Sequence, residues 1–489
     1  MNEYFIAPSK TDPEKAFYIE MKWAVPAGVS DLFFPFWRPG RYEPGNFVKW
    51  SRNFRVIGNG DSLSVTKIQP NHWRIESNES QNILVSYEWC IHELNAGSSF
   101  LSDTLFYVNP VNLFCFVKQK EMEPIRLTVE LKDNWNYAGG LPIQNQDGKI
   151  YLEAKNFDQL ADSPFVLAPV ISRFQWISEG VEFNCHSIGQ LPKPWREGDY
   201  SSLIQFTEFQ VRMMNGFPVK DYHYIFIFTP YRMRHGVEHC NATMIVMGQG
   251  EVSDEVFYDE ILSISSHELF HTWNVKYCRP KDLFPYDFTQ AQFSAAGFIT
   301  EGITTYYGEL MLWQSGVWSW EKLVTCILDW LNTHLNNPGR FSSSLLDSSI
   351  DTWVDGYVKG TPGRKVSIYN EGALLAFLTD VFIIKSKFGE KSLDDVMRAM
   401  LLKYNTQTIG FTIDDYWHVV EEISGIVPAQ LIGLSSQPKD YASEVLIALE
   451  WLEQKCRLNN SESGRLEVVS IALNGHNKLS KRYRCAKPQ

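Results

Sequence analysis

The sequence predicts a multidomain α+β protein in which an N-terminal β-sandwich precedes a larger mixed domain. Its 489 residues are enough for about three domains. Short alternating apolar runs dominate up to about residue 170, and helical spacing dominates after about residue 250. We therefore expect the β-sandwich over residues 1–172, the mixed domain over 173–435, and a helical or irregular tail over 436–489.

The predicted sandwich consists of short strands separated by turns. Turn-forming segments such as "ESNES" and "QDGK" separate the runs, and this spacing is typical of a β-sandwich. The runs that alternate or are rich in β-branched and aromatic residues are "AFYIEMKWAV", "LSVTKI", "NILVSYEWCI", "IRLTVEL" and "KIYLEA".

The mixed domain begins with a small β part. After the helical segment "YSSLIQFTEFQVRMMNGF", the pattern predicts an apolar strand over 222–229, a turn at Gly236 and a second strand over 242–248. Helices are then expected over about 253–274, 298–315, 318–335, 368–387, 392–404 and 412–423. Ser392 and Thr412 are expected to be N-caps. In the tail, "YASEVLIALEWLEQKC" has helical spacing.

Composition excludes several classes of protein. The net charge is −12 and no Lys/Arg cluster resembles a nucleic-acid-binding patch, which argues against a nucleic-acid partner. The first residues contain no apolar signal-peptide core, and no run of about 18 apolar residues could span a membrane. The eight cysteines are scattered, as is typical of reduced thiols, and a cytoplasmic location is expected.

The segment "HELFH" is the strongest chemical signal. His267 and His271 are four residues apart in a predicted helix, so both imidazoles can face one metal ion. Glu268 lies beside them and can act as the base that takes a proton from a metal-bound water. The bland alternative is a pair of helix histidines that bind only neighbouring side chains. The spacing favours zinc.

A zinc site of this kind needs a third protein ligand. Glu301, at the start of the next predicted helix, is the best candidate, because its apolar neighbours Phe298, Ile299 and Ile303 indicate burial. A buried carboxylate requires a cation. The alternative is a solvated charge at a helix start, and Glu309 is the second choice of ligand.

Two further residues could contact a substrate. Glu238 precedes an apolar strand that could bind an extended peptide, and its carboxylate could then hold a substrate ammonium. Tyr369 begins a predicted helix, and its phenol could donate a hydrogen bond to an oxyanion. On sequence alone, the more common explanations are a loop acid for Glu238 and a packed tyrosine for Tyr369.

At these residues the chain resembles the glycyl aminopeptidase family of gluzincin zinc metallopeptidases. The resemblance covers roughly residues 10–425. The segments that carry it are "FWRPGRY" (36–42), "ADSP" (161–164), "HGVEHCNAT" (235–243), "HELFHTWNVKYCRP" (267–280), "TEGITTYY" (300–307) and "KSLDDVMRAML".

The resemblance implies a thermolysin-like catalytic domain over 173–435, with one Zn²⁺ held by His267, His271 and Glu301. It further implies that Glu238 binds the substrate α-amino group and that Tyr369 stabilises the transition state. The family usually ends in a PDZ domain, whose carboxylate-binding loop is missing from the tail after residue 430.

Four residues depart from the family's pattern. His235 replaces the first Gly of Gly-Gly-Leu-Glu-His, and Phe298 replaces a Trp. In "IYNEG", Ile368 and Glu371 stand where the family's Tyr-Tyr-x-Lys-Gly has Tyr and Lys. These changes affect the expected substrate preference and rate rather than the metal ligands.

The expected function is therefore a zinc-dependent aminopeptidase that removes Gly or Ala from peptides with a free N-terminus, by attack of a zinc-bound water. One alternative is an endopeptidase on the same zinc site. It would differ from the aminopeptidase in having no use for Glu238. The other is a binding protein with a catalytically silent zinc site and a functional β-sandwich. The presence of Glu268 argues against that alternative, because a silent site does not need a base.

Overall fold

The computed structural model of the chain describes residues 1–59, 61–130, 135–146, 149–196, 200–358, 360–405, 409–452, 454–460 and 466–473. The chain forms two compact units. The β unit comprises Met1–Lys193, Val219–Phe257 and Tyr286–Ala291, and the helical unit comprises Pro194–Pro218, Tyr258–Pro285 and Gln292–Gln489. The domain boundaries expected near residues 172 and 435 stay predictions.

The β unit contains most of the strands and two short helices, α1 (Pro110–Leu113) and α2 (Phe157–Ala161). Its strands are β1 (Asn2–Pro8), β2 (Ala16–Val25), β3 (Gly28–Phe33), β4 (Ser51–Gly58), β5 (Asp61–Ser62), β6 (Val65–Gln69), β7 (His72–Ser77), β8 (Gln81–Cys90), β9 (Phe100–Leu101), β10 (Phe106–Val108), β11 (Phe116–Val117), β12 (Ile125–Glu130), β13 (Asn136–Gly139), β14 (Ile143–Gln146), β15 (Lys149–Ala154), β16 (Phe165–Ala168), β17 (Ser172–Ser178), β18 (Val181–Gly189), β19 (Asp221–Phe228), β20 (Met233–Glu238) and β21 (Ala242–Gly248).

The described strands of the β unit form four sheets. An eight-stranded sheet has the order β14-β15-β12-β1-β2-β8-β4-β5, and two four-stranded sheets have the orders β13-β16-β10-β9 and β11-β3-β7-β6. The fourth sheet has five strands in the order β17-β18-β19-β21-β20. In it, β18, β19 and β21 run parallel to one another. The two edge strands are antiparallel to their neighbours: β17 pairs with β18, and β20 pairs with β21.

Alternation along β2 shows how the sequence produces the sandwich core. Phe17, Ile19 and Met21 are fully buried, because every second side chain of a strand points to the same face. They belong to one apolar cluster with Ile75 of β7 and Phe165 of β16. The eight-stranded sheet thus shares a core with both four-stranded sheets, which confirms the predicted β-sandwich.

The five-stranded sheet has its own apolar face. Ile225 and Ile227 of β19 and Val246 of β21 are buried in a second cluster. That cluster also contains Tyr107 of β10 and Val166 of β16. The five-stranded sheet therefore packs on the second face of the four-stranded sheet that carries β10 and β16.

The helical unit is built around a helix that is buried on all sides. That helix, α9, is apolar around its whole circumference, as expected for a helix at the centre of a unit. The helices after α3 (Lys193–Arg196) are α4 (Ser201–Met213), α5 (Asp254–Phe270), α6 (Thr304–Gln314), α7 (Trp320–Leu335), α8 (Leu345–Asp355), α9 (Asn370–Ser386), α10 (Leu393–Lys403), α11 (Ile413–Ser424), α12 (Ala429–Ser436) and α13 (Ala442–Trp451). A hairpin of β22 (Gln454–Asn460) and β23 (Leu466–Leu473) follows α13.

Both predicted N-caps are confirmed. Ser392 and Thr412 each form a capping box, in which the hydroxyl accepts an amide hydrogen and Asp395 or Asp415 accepts from the cap's own amide. At the other end of α11, Gly425 has a φ of 71°, the left-handed conformation that terminates many helices.

Three local predictions are wrong. The expected turn at Gly236 is part of β20, because Gly236 pairs with Ile245 of β21. Helix α8 was not expected, since its segment "LLDSSIDTWVD" is rich in Ser, Thr and Asp, and its buried residues decide the structure. The tail helix ends at Trp451, and Cys456 lies in β22.

No disulfide joins any two of the described cysteines, which are Cys90, Cys115, Cys185, Cys240, Cys278, Cys326 and Cys456, and Cys485 lies outside the described residues. Within the described part of the chain, no helix combines the length and apolar character needed to cross a bilayer.

Candidate metal centre and active site

Helix α5 presents the two histidines. Asp254 and Glu255 in its first turn face the positive end of the helix dipole, which favours a helix start there. The helix ends at Phe270, yet the amide of His271 still donates to the carbonyl of His267 at 3.3 Å. The two side chains therefore lie on one face, with their Nε2 atoms 3.1 Å apart.

Glu301 lies in a π-helical turn, Phe298–Ile303, directly before α6. Its side chain is 3% exposed, as the apolar neighbours in sequence predicted. Wide π turns are frequent at functional sites because they alter the direction of a side chain without ending the helix.

The three candidate ligand atoms converge. Glu301 Oε2 lies 3.4 Å from His271 Nε2 and 4.0 Å from His267 Nε2. A tetrahedral ion with bonds of about 2.0–2.1 Å separates its ligands by about 3.3–3.4 Å. Two imidazole nitrogens and one carboxylate oxygen at these separations fit a single zinc ion.

His271 is oriented by the segment that follows it. Its Nδ1 lies 3.0 Å from the carbonyl oxygen of Asn274, and the carbonyl can only accept. Nδ1 therefore carries the hydrogen, and Nε2 presents its lone pair. The side chain of Asn274 donates to the carbonyl of Ile299 at 2.9 Å and to the hydroxyl of Thr304 at 3.0 Å. One residue thus connects the end of α5 to the turn that holds Glu301.

The next residue, Val275, has an unusual backbone conformation. Its φ is 134°, a value that β-branched residues rarely adopt. Val275 is fully buried, so the surrounding structure holds it in place. Such strain is found where a backbone group must point in a fixed direction, here the carbonyl of Asn274 toward His271.

Two glycines allow the π-helical turn that carries Glu301 to come into contact with helix α9. A Cβ on Gly302 would lie only 2.4 Å from Gly372 Cα and 2.9 Å from the carbonyl oxygen of Ile368. No side chain fits between the two backbones at this point. Tyr369, half-buried at the residue before α9, follows directly on Ile368, so the crossing brings its backbone beside the residue after Glu301.

The remaining acids near α5 differ in their surroundings. Glu268 is buried beside His267. Glu309, the second choice of third ligand, lies in α6 and accepts a hydrogen bond from Ser263 at 2.8 Å. Among the described residues, one group that could hold a metal contains His267, His271 and Glu301, and Glu309 belongs to no such group.

Glu238 belongs to the β unit, where it is the last residue of β20. The sequence had suggested that the apolar strand 242–248 binds an extended peptide. That strand is β21, which is paired on both sides, with β19 and β20. The sheet edge next to β21 belongs to β20, so a strand added beside Glu238 would have to pair with β20.

Two motif segments meet at Glu238. A Cβ on Gly40, in "FWRPGRY", would lie 2.5 Å from Glu238 Oε2 and would displace that carboxylate, and the φ of 74° at Gly40 favours glycine as well. Asp162, in "ADSP", accepts from the amide of Cys240 at 2.8 Å and lies 3.2 Å from Nδ1 of His239. Asp162 thereby fixes the turn that follows Glu238.

The carboxylate of Glu238 is 4% exposed, and its Oε1 has no hydrogen-bond partner among the described residues. Burial, and after it the charges of Arg38 and Arg41, lower the pKa of the nearby strand residue His235 to about 3. His235 is therefore neutral and adds no positive charge to the strand that carries Glu238.

Comparison with protein families decides the relationship. The M61 peptidase N-terminal domain matches residues 6–169, and the M61 glycyl aminopeptidase matches residues 260–375. The chain belongs to the M61 glycyl aminopeptidase family. It is a metallopeptidase, as the "HELFH" segment predicted.

Solved structures share the peptidase's fold. An aminopeptidase N family protein from Idiomarina loihiensis is 23% identical, with a TM-score of 0.86 over 94% of this chain and 79% of that one. An M1 zinc metallopeptidase from Deinococcus radiodurans, in a mutant form bound to a Tyr-Ser-Ala substrate, is 12% identical, with a TM-score of 0.56 over 90% and 94% of the two chains. Comparison with curated protein sequences gives no match.

Sequence reasoning missed the residues that orient the site. Asn274 lies inside the segment that carries the family resemblance, yet its role depends on carbonyls that only the fold brings within reach. The same is true of Asp162, which lies far from Cys240 in sequence. Gly372 is the last residue of the segment "IYNEG", but its role depends on the backbone of Gly302, which only the fold brings close.

The position of Asn274 yields a testable expectation. Asn274→Ala removes the contacts that connect the end of α5 to the turn around Glu301, so the zinc affinity of the peptidase should fall by about 10–100-fold. Competition with a chromophoric chelator measures it. Asn336→Ala, at an exposed helix end of the same unit, is the control and should bind zinc normally. Equal affinities in the two variants would contradict the assignment.

Proposed function

We propose that the peptidase is a zinc-dependent aminopeptidase that removes small N-terminal residues, Gly or Ala, from peptides. The observation that supports this most strongly is the convergence of His267, His271 and Glu301 beside the buried acid Glu268. These three residues would hold the zinc ion. The preference for a small first residue follows from the family to which the chain belongs.

The ligand set suits zinc because two neutral imidazoles and one carboxylate leave a fourth position open. A bound zinc ion supplies a Lewis acid, which lowers the pKa of a water molecule to about 7 and polarises the scissile carbonyl. Glu301 is buried, and a buried carboxylate without a cation is strongly unfavourable, which also favours a metal there.

The chain's own residues carry the proton transfers. Glu268 takes a proton from the attacking water and passes it to the amine of the leaving peptide. Glu268 is buried, so bulk water has little access to its carboxylate. The hydroxyl of Tyr369 donates a hydrogen bond to the oxyanion that develops on the scissile carbonyl.

Glu238 is proposed to bind the α-ammonium group of the substrate. Its buried Oε1 lacks a hydrogen-bond partner among the described residues, and an ammonium group offers three donors and the opposite charge. Gly40 and Asp162 fix the position of Glu238 and of the turn after it. An endopeptidase would have no use for such an acid, because its substrates carry no charge at the scissile residue.

The ligand assignment predicts metal content. The purified peptidase should hold about one zinc ion per chain, as three protein ligands around one ion require. His267→Ala, His271→Ala and Glu301→Ala should each lose it in elemental analysis. Glu309→Ala removes a neighbouring acid of the same helical unit and should keep it. Full zinc occupancy in Glu301→Ala would show that this residue is not a ligand.

The role of Glu268 predicts a separation of binding and catalysis. Glu268→Gln preserves the size of the side chain but cannot take a proton, so kcat should fall by at least about 10²–10⁴-fold while zinc stays bound. Glu255→Gln, in the exposed first turn of the same helix, is the control and should be fully active. Near-normal turnover by Glu268→Gln would place the chemistry elsewhere.

The role of Glu238 distinguishes an aminopeptidase from an endopeptidase. Peptides with free N-terminal Gly or Ala should be cleaved, and their N-acetylated forms should not. Glu238→Ala should raise the activation free energy derived from kcat/KM by about 2–5 kcal/mol, because one partner of a buried charge pair is removed. Zinc content should not change. If the wild type cleaves acetylated and free peptides equally, the enzyme is an endopeptidase.

A further inference from the structure

A buried carboxylate lies two residues after Tyr369. The side chain of Glu371 is 3% exposed, in the first turn of α9. Its Oε2 accepts a hydrogen bond from the hydroxyl of Tyr441 at 3.0 Å and lies 3.3 Å from Nδ1 of His334. The same hydroxyl is 3.3 Å from the backbone carbonyl oxygen of Glu371. Tyr441 thus contacts both the backbone and the side chain at the start of α9.

The contacts continue beyond Glu371. Nε2 of His334 lies 3.3 Å from Asp440 Oδ1, and Nε of Arg340 lies 3.1 Å from Asp440 Oδ2. The rings of His334 and Tyr441 stack with their centroids 4.3 Å apart. We call Glu371, His334, Arg340, Asp440 and Tyr441 the Glu371 cluster. It joins the end of α7, the start of α9 and the residues before α13.

The protonation states in the cluster suit these contacts. Burial, and after it the negative charge of Glu371, raise the pKa of Tyr441 well above its ordinary value, so its hydroxyl keeps the hydrogen that it donates. For Asp440, partial burial acts upward, but the Ala442 amide and the Arg340 guanidinium together lower the pKa of its carboxyl. Asp440 is therefore a carboxylate that can pair with Arg340.

The cluster and the glycine crossing hold Tyr369 from both sides. On one side, the carbonyl of Ile368 lies against Gly302, the residue after Glu301. On the other side, Glu371 accepts a hydrogen bond from Tyr441 and lies close to His334, and Gly372 contacts Gly302. The backbone around Tyr369 therefore has little freedom to rotate or shift.

We propose that Glu371 is a positioning residue that sets the orientation of Tyr369. Through their contacts with the Glu371 cluster, Asp440 and Tyr441 then also contribute to the orientation of Tyr369. This inference rests on the function proposed for Tyr369. It assigns a role to the buried carboxylate of Glu371. A lysine there would direct an ammonium group toward His334 instead of a carboxylate.

The proposal has two consequences for substitutions at residue 371. Glu371→Lys should be more harmful than Glu371→Gln, although Lys is the residue of the family's motif. The amide of Gln can still accept a hydrogen bond from Tyr441, whereas the ammonium of Lys has no acceptor to offer. Tyr441→Phe removes only one hydroxyl and is the mildest variant.

A double-mutant cycle tests whether the cluster acts through Tyr369. Glu371→Lys should lower kcat by about 10-fold or more and Tyr441→Phe by about 3-fold, with KM changed less than about 3-fold. Zinc content should be normal. In a Tyr369→Phe background, each of these substitutions should lower kcat by less than a further factor of about 2, because the hydroxyl that the cluster positions is already absent.

Tyr4→Phe is the matched control. Tyr4 is also fully buried, and its hydroxyl donates to the carbonyl of Cys115 at 2.9 Å, within the β unit. It should lower the melting temperature, as Tyr441→Phe should, since each variant loses a buried hydroxyl that donates a hydrogen bond. It should leave kcat unchanged. A general loss of stability would affect both variants alike.

A second measurement does not depend on activity. With 3-fluorotyrosine at position 369, the ¹⁹F signal of the zinc-loaded protein should shift or broaden in Tyr441→Phe and Glu371→Gln, but not in Tyr4→Phe. If the protein cleaves no peptide, the proposed function fails and the ¹⁹F signal still tests the positioning. Losses that add fully to that of Tyr369→Phe, or a ¹⁹F signal that no cluster variant alters, would overturn the inference.

Discussion

The turn that carries Glu301 and the start of α9 lie closer together than any side chain larger than that of glycine would allow. In this peptidase the constraint is met where Gly302 crosses Gly372. The crossing places the turn that carries Glu301 against the start of α9, which carries Tyr369 and Glu371. This one contact between backbones therefore helps to position the candidate metal ligand Glu301, the candidate oxyanion donor Tyr369 and the buried carboxylate of Glu371.

The elements with strong local periodicity were predictable from sequence. Strands β2 and β15 have the bounds that their apolar runs indicated, and the caps Ser392 and Thr412 form as expected. The candidate ligands were predictable too, because an i, i+4 pair of histidines on a helix needs no tertiary information to face one point. Their metal-binding roles remain proposals until zinc is measured.

What the sequence did not reveal depends on contacts between distant residues. Gly236 resembles a turn until β21 pairs with its strand, and the hydrogen bonds of that pairing outweigh the local preference of glycine. Asn274 and Tyr441 are ordinary polar residues in sequence. Their significance comes from the carbonyl of Ile299 and the carboxylate of Glu371, which lie 25 and 70 residues away along the chain.

The burial of Glu301 would also couple the binding of a metal ion to the folding of the chain. In the folded chain Glu301 has lost most of its hydration, and its carboxylate lies next to two imidazoles rather than water. An ion bound there favours only the folded form, since the unfolded chain holds the three ligands apart. The free energy of unfolding should therefore rise with the logarithm of free zinc above the dissociation constant. Cellular zinc supply would then control the amount of folded enzyme as well as its activity.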